Sequence, residues 1–244
     1  MIKKLFFITL FLGICSTGFS QTGNEAQGKS VTPQSIVSPY DGATLFPAAG
    51  SAFSTGDYNT IFGAGSGGQI ASGSFNVFIG TMAGALYDND NDNTVIGAFA
   101  ADQTAFGIDN VYIGKFVART ATGSDKTIIG NEAGENLTTG FDNTIVGEEA
   151  GQLLTIGHDN VFIGEDAGYN STSGNDNTFV GSAAGRNNTI GRQNAFFGNE
   201  AGYDNTEGYK NTFVGDSTGL DNSVGRLNTF VGQGAGSATE YADY

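Results

Sequence analysis

Asn143-Thr-Ile-Val-Gly147-Glu-Glu-Ala-Gly151 returns one period later as Asn160-Val-Phe-Ile-Gly164-Glu-Asp-Ala-Gly168, and copies of this stretch fill most of the chain. Their consensus is N-T-[FIV]-[VI]-G-x-x-A-G, followed by a variable segment and by G-x-D before the next copy. Eleven copies can be aligned, and they begin at Asn59, Asn76, Asn93, Asn110, Lys126, Asn143, Asn160, Asn177, Asn194, Asn211 and Asn228. The period is seventeen throughout, except that the copy beginning at Asn110 is one residue shorter. We number the copies 1 to 11 and the positions within a copy from 1 at its first residue.

The length of the period points to one fold class. Seventeen residues are too few for a pair of helices with their turns or for a propeller blade, but they suit one coil of a parallel β-solenoid. The residues at positions 2 to 4 are mostly β-branched or aromatic and lie between Asn and Gly, as in a short strand. The Gly columns at positions 5 and 9 predict corners with positive φ or close backbone packing, and the Asn column also suits corners. We therefore predict an all-β fold, a parallel β-solenoid of about eleven 17-residue coils.

Two neighbouring apolar columns predict that the solenoid associates with other chains. Successive residues of a strand point to opposite faces, so a thin solenoid buries only one of the two columns. Position 3 holds Ile61, Phe78, Val95, Tyr112, Ile128, Ile145, Phe162, Phe179, Phe196, Phe213 and Phe230. Position 4 holds Phe62, Ile79, Ile96, Ile113, Ile129, Val146, Ile163, Val180, Phe197, Val214 and Val231. Because burying one such side chain contributes about 1.5–3 kcal/mol, we expect the outer column to lie in an interface that runs the length of the solenoid.

The composition excludes several classes of protein. The chain has 244 residues with 39 Gly and no Trp, and only 14% of the residues are charged. So many turn formers and so few helix formers do not build a helical bundle. Acids outnumber bases by 25 to 10, which gives a formal net charge of −15. Nucleic acid is therefore not expected as a partner, since binding it requires clustered Lys and Arg.

The N-terminal region divides into two further segments. Residues 1–20 show a basic start, an apolar run and a small-residue end, which predicts a secretory signal peptide cleaved after Ser20. Cys15 follows a sequence that faintly resembles a lipoprotein processing box, which is an alternative to simple cleavage. Residues 21–55 hold all three prolines and no periodicity, and we interpret them as a tether or an N-terminal cap. The repeat solenoid occupies residues 56–244.

The repeats Asn143–Gly151 and Asn160–Gly168 resemble the head repeats of trimeric autotransporter adhesins. The resemblance covers Gly56 to Tyr244, and similar repeats occur in tail-fibre-like surface proteins. It implies a left-handed parallel β-roll in which three chains lie side by side and bind host surfaces or matrix. The period here is longer than the usual period of that family, and we find no pattern for its coiled-coil stalk or membrane anchor.

These observations predict a secreted or cell-surface structural and adhesive protein that is not an enzyme. Its first expected partner is itself, in a homotrimer, and its second is a host or environmental surface ligand. The variable residues after the second Gly, such as Tyr169, Arg186, Tyr203 and Leu220, form the expected outer recognition surface. The alternative is a subunit of an extracellular filament assembled head to tail. A small-molecule substrate is not expected.

Two sequence motifs of enzymes occur within the repeats. Gly215-Asp-Ser217-Thr-Gly219 matches the G-x-S-x-G nucleophile elbow, but the same five positions elsewhere read Gly147-Glu-Glu-Ala-Gly151. Residues 63–68 match G-x-G-x-x-G without the helix that a dinucleotide site requires. The only histidine, His158, has no Cys or second His to join it at a metal ion. We therefore predict no catalytic, cofactor-binding or metal-binding residue.

Two polar columns suggest alternatives to that interpretation. Position 17 holds an acidic column, namely Asp92, Asp109, Asp125, Asp142, Asp159 and Asp176. The run Asp88–Asn93 resembles the first half of a calcium loop without its central Gly and closing Glu, so we interpret the column as a solvated acidic edge and keep calcium binding as an alternative. Position 13 holds Thr138, Thr155, Thr172, Thr189, Thr206 and Ser223. Regular Thr columns also occur on ice-binding solenoids, which is a further alternative.

Overall fold

The computed structural model describes residues 56–68, 72–86, 89–103 and 107–238, together with two short strands before them. The chain divides into two units, Met1–Pro33 and Gln34–Tyr244, and every described residue belongs to the second. The predicted signal peptide, residues 1–20, lies outside the described residues. The solenoid belongs to the second unit.

Each coil contributes one strand to a single sheet. Strands β1 and β2 are Ile36–Val37 and Thr44–Leu45. The coil strands are β3 Thr60–Phe62, β4 Val77–Ile79, β5 Thr94–Ile96, β6 Val111–Ile113, β7 Thr127–Ile129, β8 Thr144–Val146, β9 Val161–Ile163, β10 Thr178–Val180, β11 Ala195–Phe197, β12 Thr212–Val214 and β13 Thr229–Val231. Strands β2 to β13 pair in parallel in chain order, and β1 pairs antiparallel with β2. The predicted parallel β-solenoid is confirmed, and no helix occurs in the part of the chain that the structure describes.

The register places each residue against its copy in the next coil. Phe179 lies opposite Phe196, and Thr178 lies opposite Ala195, one full period further along the chain. Strands β6 and β7 keep the same register, with Val111 opposite Thr127, although coil 4 is one residue short of the period. The columns read from the sequence are therefore true spatial columns along the solenoid.

Alternation within the three-residue strands separates the two apolar columns. The position 3 side chain points inward, and from Ile61 to Phe213 every member of that column is completely buried. In the C-terminal coils this column is a continuous stack of rings, formed by Phe162, Phe179, Phe196, Phe213 and Phe230. Their centroids are 4.7–5.1 Å apart, which is the rise between neighbouring parallel strands. The stack forms the centre of the core.

The two Gly columns have different structural causes. At position 5, Gly164 has φ +138°, and a Cβ placed there would lie 2.3 Å from the carbonyl oxygen of Gly181 in the next coil. At position 9, Gly185 has φ +58°, and a Cβ there would lie 2.5 Å from the ring of Phe179. The first glycine allows two coil backbones to approach closely, and the second makes room for the aromatic core.

The Asn column at position 1 is a buried hydrogen-bonded ladder. The Oδ1 atom of Asn160 accepts a hydrogen bond from the backbone N–H of Asn177, at 3.1 Å. The Nδ2 atom of Asn160 donates to the carbonyl oxygen of Gly174 within the same coil, at 2.8 Å. Each Asn thus joins its coil to its neighbour and also closes its own coil. The Asn side chains thus satisfy buried backbone groups at a corner where no strand pairing supplies hydrogen-bond partners.

Lys126, the first residue of coil 5, contacts the shortened end of coil 4. Coil 4 lacks a residue at position 14, so Gly123 follows Thr122 directly and has φ +85°. The Lys126 amide still joins the ladder, donating to Asn110 Oδ1 at 3.2 Å. Lys126 is 1% exposed, and its Nζ atom donates to the carbonyl oxygen of Thr122 at 2.6 Å. Because an ammonium group carries no acceptor, the ladder is interrupted after Lys126.

Candidate functional site

The strand face is formed by positions 2 and 4, which point away from the core. Position 4 remains exposed or half-buried along its length, with Phe62 at 50%, Ile163 at 39% and Val231 at 68%. Position 2 holds Thr60, Val77, Thr94, Val111, Thr127, Thr144, Val161, Thr178, Ala195, Thr212 and Thr229. Neither column contains a charged residue. The strand face is therefore an apolar column at position 4 beside a column of mostly Thr at position 2, on a strongly acidic chain.

Position 10 lies on a second outward surface. The Arg186 guanidinium lies 4.8 Å from the ring centroid of Tyr169 and 5.9 Å from that of Tyr203. Its Nε donates to Asp166 at 3.1 Å. The structure thus brings together three of the four predicted recognition residues, and the fourth, Leu220, follows in the next coil of the column. A guanidinium held between two rings and a carboxylate is a fixed, partly exposed group.

A shallow groove of about 500 Å³ runs along the solenoid beside that column. Its walls are positions 11 and 13, formed by Leu153, Asn170, Asn187, Asp204, Thr172, Thr189, Thr206 and Ser223. Along one wall, Asn170 donates to Asn187 at 2.6 Å, and Asn187 donates to Asp204 at 2.7 Å. These side chains hold one another in place.

The Thr column lines this groove. The Thr172 hydroxyl donates to the carbonyl oxygen of Thr189, and the Thr189 hydroxyl donates to that of Thr206, both at 3.0 Å. The hydroxyl hydrogens are therefore used in hydrogen bonds between neighbouring coils. The column lies in a concave part of the surface rather than on a flat one. Ice binding remains an alternative that thermal hysteresis measurements would test.

The edge of the solenoid is formed by positions 16 and 17 of coils 2 to 10. Every position 17 residue there has φ between 53° and 62° and is exposed. The backbone is fixed by hydrogen bonds between coils, such as Asp159 N–H to the Phe141 carbonyl oxygen at 3.2 Å. Carboxylates one coil apart repel by about 0.9 kcal/mol per neighbouring pair in water. The acidic column is therefore rigidly displayed and electrostatically unfavourable by itself.

The edge changes its charge along the solenoid. Coils 2 to 7 carry Asp at position 17, whereas coils 8 to 10 carry Gln193, Lys210 and Leu227 there. Arg192 and Arg226 occupy position 16 in coils 8 and 10, on either side of Tyr209. Their guanidinium carbons lie 4.9 Å and 5.8 Å from the Tyr209 ring centroid, and Arg226 Nη1 donates to the Tyr209 hydroxyl at 3.0 Å. This basic segment was not predicted from the sequence, because its charges alternate between positions 16 and 17 and neither column alone is basic throughout.

The residues of the enzyme-like motifs lie on separate surfaces. Ser217 occupies position 7 with φ +51°, and its hydroxyl contacts Asp216 at 3.1 Å and Glu200 at 3.4 Å. His158 lies on the edge in coil 6, where its ring stacks on Phe141 at 4.8 Å and its Nδ1 lies 2.7 Å from Asp159. Residues 63–68 form a turn after β3 rather than the start of a helix. Each motif is thus accounted for by its place in the repeat.

The predicted calcium corner is only partly described. Asp88 lies outside the described residues. Asn91 Oδ1 accepts from the Ser74 backbone N–H at 2.8 Å, and Asn89 Oδ1 accepts from the Ser72 hydroxyl at 2.6 Å. These amide oxygens therefore serve the neighbouring coil. Among the described ranges, no group of three or more His, Cys, Asp or Glu side chains is placed to hold a metal ion.

Comparisons with protein-family models, curated proteins and solved structures give no match to this chain. The resemblance to adhesin heads thus rests on the repeat sequence and on the stacked β-coils that the structure shows. No helix within the described residues has the length and apolar character needed to cross a membrane.

Proposed function

We propose that this chain is a structural and adhesive protein of an extracellular surface. In this proposal the signal peptide, residues 1–20, exports the chain, and three copies associate through their strand faces. The outward columns of the assembled solenoids then contact a surface or matrix ligand. The observation that carries the proposal is the uninterrupted apolar column at position 4.

The regular repeat of the strand face supports a partner with the same repeat and length. Fully burying one Val, Ile or Phe side chain contributes about 1.5–3 kcal/mol, and each half-exposed member contributes a fraction of that amount. Eleven coils present such a side chain at the same repeat distance. A second solenoid of the same sequence offers the same repeat, so its side chains can pack against every coil without loss of register.

The position 10 column supports the adhesive part of the proposal. Tyr169, Arg186 and Tyr203 lie together on a surface separate from the strand face. Aromatic rings and a guanidinium combine apolar area with hydrogen-bond donors, and such residues are common in binding interfaces. This surface therefore remains available for a ligand when the strand faces are covered.

The oligomeric state tests the proposal most directly. Light scattering on the purified mature chain should give the mass of a trimer. Val146→Asp combined with Val180→Asp places charge in the strand face and should release single chains. The matched control is Ile190→Asp, since Ile190 is apolar and 48% exposed but lies at position 14. A wild-type chain that is a monodisperse monomer would contradict the proposed assembly.

Electron microscopy separates this proposal from the filament alternative. Short particles of uniform length are expected, and long fibres would favour head-to-tail assembly instead.

For the adhesive surface, combined Tyr169→Ala and Tyr203→Ala should reduce attachment of the protein to its target surface while leaving the mass of the assembly unchanged. Attachment that survives this change would assign adhesion to another column.

A further inference from the structure

The edge of the solenoid carries two complementary halves on one chain. Its acidic half presents one exposed carboxylate per coil in coils 2 to 7, and its basic half presents Arg192, Lys210 and Arg226 in coils 8 to 10. Asp and Glu are absent from positions 16 and 17 of coils 8 to 10. Both halves stand on the same hydrogen-bonded backbone column, so their charges repeat at the same distance along the axis.

We propose that the edge is a second self-association surface, on which two copies pair antiparallel through their acidic and basic halves. This inference goes beyond the strand-face assembly and does not depend on it. The partner that fits the basic half is an acidic row with one carboxylate per coil, and the chain itself supplies that row. An antiparallel arrangement lets both basic halves meet acidic halves at once, about a two-fold axis.

The position of the two-fold axis follows from where the charge changes sign. The sign changes between Asp176 of coil 7 and Arg192 of coil 8. With the axis at this boundary, coil 8 faces coil 7 of the other copy, coil 9 faces coil 6, and coil 10 faces coil 5. Lys210 of coil 9 then faces Asp159 of the other copy, and Arg226 faces Asp142. A parallel arrangement in register would instead place like charges side by side.

The local charge decides pairing at this surface, although the whole chain is acidic. At physiological ionic strength, charges farther apart than about 8 Å are largely screened. Arg119 and Arg186, which lie on other surfaces, are already paired with carboxylates of their own chain. Arg192 instead packs against the ring of Tyr209, a neutral partner that fixes its position and leaves its positive charge in place.

A charge-swap experiment on the full mature chain tests the pairing. In single chains released by Val146→Asp with Val180→Asp, sedimentation velocity should show a particle in low salt with twice the mass of the particle in high salt. An assembled trimer carries three edges and should grow further in low salt. Lys210→Glu and Asp159→Lys, each made alone, should weaken this doubling by about tenfold or more, because every pair contains the contact twice. The double variant, or an equimolar mixture of the two single variants, should restore it.

Two matched controls change the net charge by the same amount elsewhere. Lys115→Glu and Asp216→Lys alter exposed residues at position 6 and should leave the doubling intact. The proposal is overturned if the mass does not double in low salt, or if the doubling is not restored in the double variant. It is also overturned if the control variants reduce the doubling as strongly as the edge variants do. Open-ended growth of the mass of single chains would overturn the antiparallel arrangement. Binding of dextran sulfate through Arg192 and Arg226 without self-pairing would overturn the proposal and assign the basic half to an anionic polymer.

The edge pairing and the strand-face assembly can be tested independently of each other. Strand-face contacts are apolar and should persist in high salt, whereas edge contacts should be lost. If Val146→Asp with Val180→Asp has no effect on mass while the edge variants do, the strand-face proposal fails and the edge proposal stands. The reverse result leaves the strand-face assembly in place and removes the edge pairing.

Discussion

The side chain of a position 1 asparagine satisfies backbone groups in two coils. In Asn177, the Nδ2 atom donates to the Gly191 carbonyl oxygen at 2.8 Å, and the Oδ1 atom accepts from the backbone N–H of Asn194 at 3.0 Å. The amide is fully buried, so each of these groups would otherwise lack water as a partner. A short side chain with both a donor and an acceptor serves both coils, whereas Lys126 at the same position of coil 5 supplies a donor alone.

Replacing Asn177 by Ala should therefore strongly destabilise the solenoid. The change leaves the buried Asn194 N–H without its partner, whereas the Gly191 carbonyl oxygen still accepts from Asn188 Nδ2 at 3.0 Å. We expect a loss of about 2 kcal/mol in the free energy of unfolding. Chemical denaturation followed by circular dichroism would measure it. Asn199→Ala is the matched control, because Asn199 is exposed and its side chain makes a long 3.4 Å contact with Asp216; its effect should stay within about 0.5 kcal/mol. Equal losses in the two variants would show that the ladder adds no stability.

Lys126 makes stability depend on pH in the alkaline range. Burial lowers the pKa of Lys126 to about 8 from 10.5, against the opposing effect of Asp125 and Asp142. Between these two values the unfolded chain binds more protons than the folded chain, so the stability of the solenoid should rise as the pH increases from 8 to 10.5. Thermal unfolding across this range would measure the rise.

A substitution isolates the contribution of Lys126. Lys126→Asn restores an acceptor to the ladder and removes the buried charge, so it should raise stability by about 1 kcal/mol at neutral pH and abolish the alkaline increase. Lys210→Asn removes an exposed lysine and serves as the control. A variant less stable than the wild type would show that the shortened coil 4 requires the longer side chain.

At the scale of the strand, two adjacent phenylalanines of β11 experience opposite surroundings. Phe196 is completely buried and stacks between Phe179 and Phe213, at 4.9 Å and 4.7 Å. Phe197 lies on the strand face and is 40% exposed. The pair allows one residue type to be compared inside and outside the same strand.

Phe196→Ala should cost about 3–5 kcal/mol in the free energy of unfolding, because it leaves a cavity between two rings. Phe197→Ala should cost much less in a dissociated chain and should act instead on the mass of the assembly. Denaturation and light scattering on both variants would separate the two effects. A large loss of folding stability from Phe197→Ala in single chains would contradict the assignment of position 4 to the outer face.

The coil was predictable from the sequence because its signals are local. Glycine and apolar columns mark corners and strands within a few residues, and the constant period gives the stacking directly. Which apolar column lies inside was not predictable, since both contain the same residue types; only the direction of each corner decides it. The burial of the Asn column was missed because Asn is usually exposed in turns, and here the next coil covers it.

Across the whole solenoid, the contacts that join neighbouring coils differ along the axis. Coils 7 to 11 share the phenylalanine stack, and Thr hydroxyls join successive coils from Thr122 to Ser223. The Asn ladder is interrupted after Lys126 of coil 5. In repeat proteins each coil is stabilised mainly by its neighbours, so a weaker junction limits how far cooperative folding extends.

Amide hydrogen exchange should therefore reveal two cooperative units that meet near coil 5. We expect the amides of strands β3 to β6 to exchange faster than those of β9 to β12, because local opening can stop at the interrupted ladder. Mass spectrometry of peptic fragments would resolve the two groups. Lys126→Asn should narrow the difference by joining the ladders, whereas Asn199→Ala should leave it unchanged. Uniform protection from β3 to β12 in the wild-type chain would mean that the core column alone carries cooperativity across the junction, and that the Asn ladder only shapes the corner.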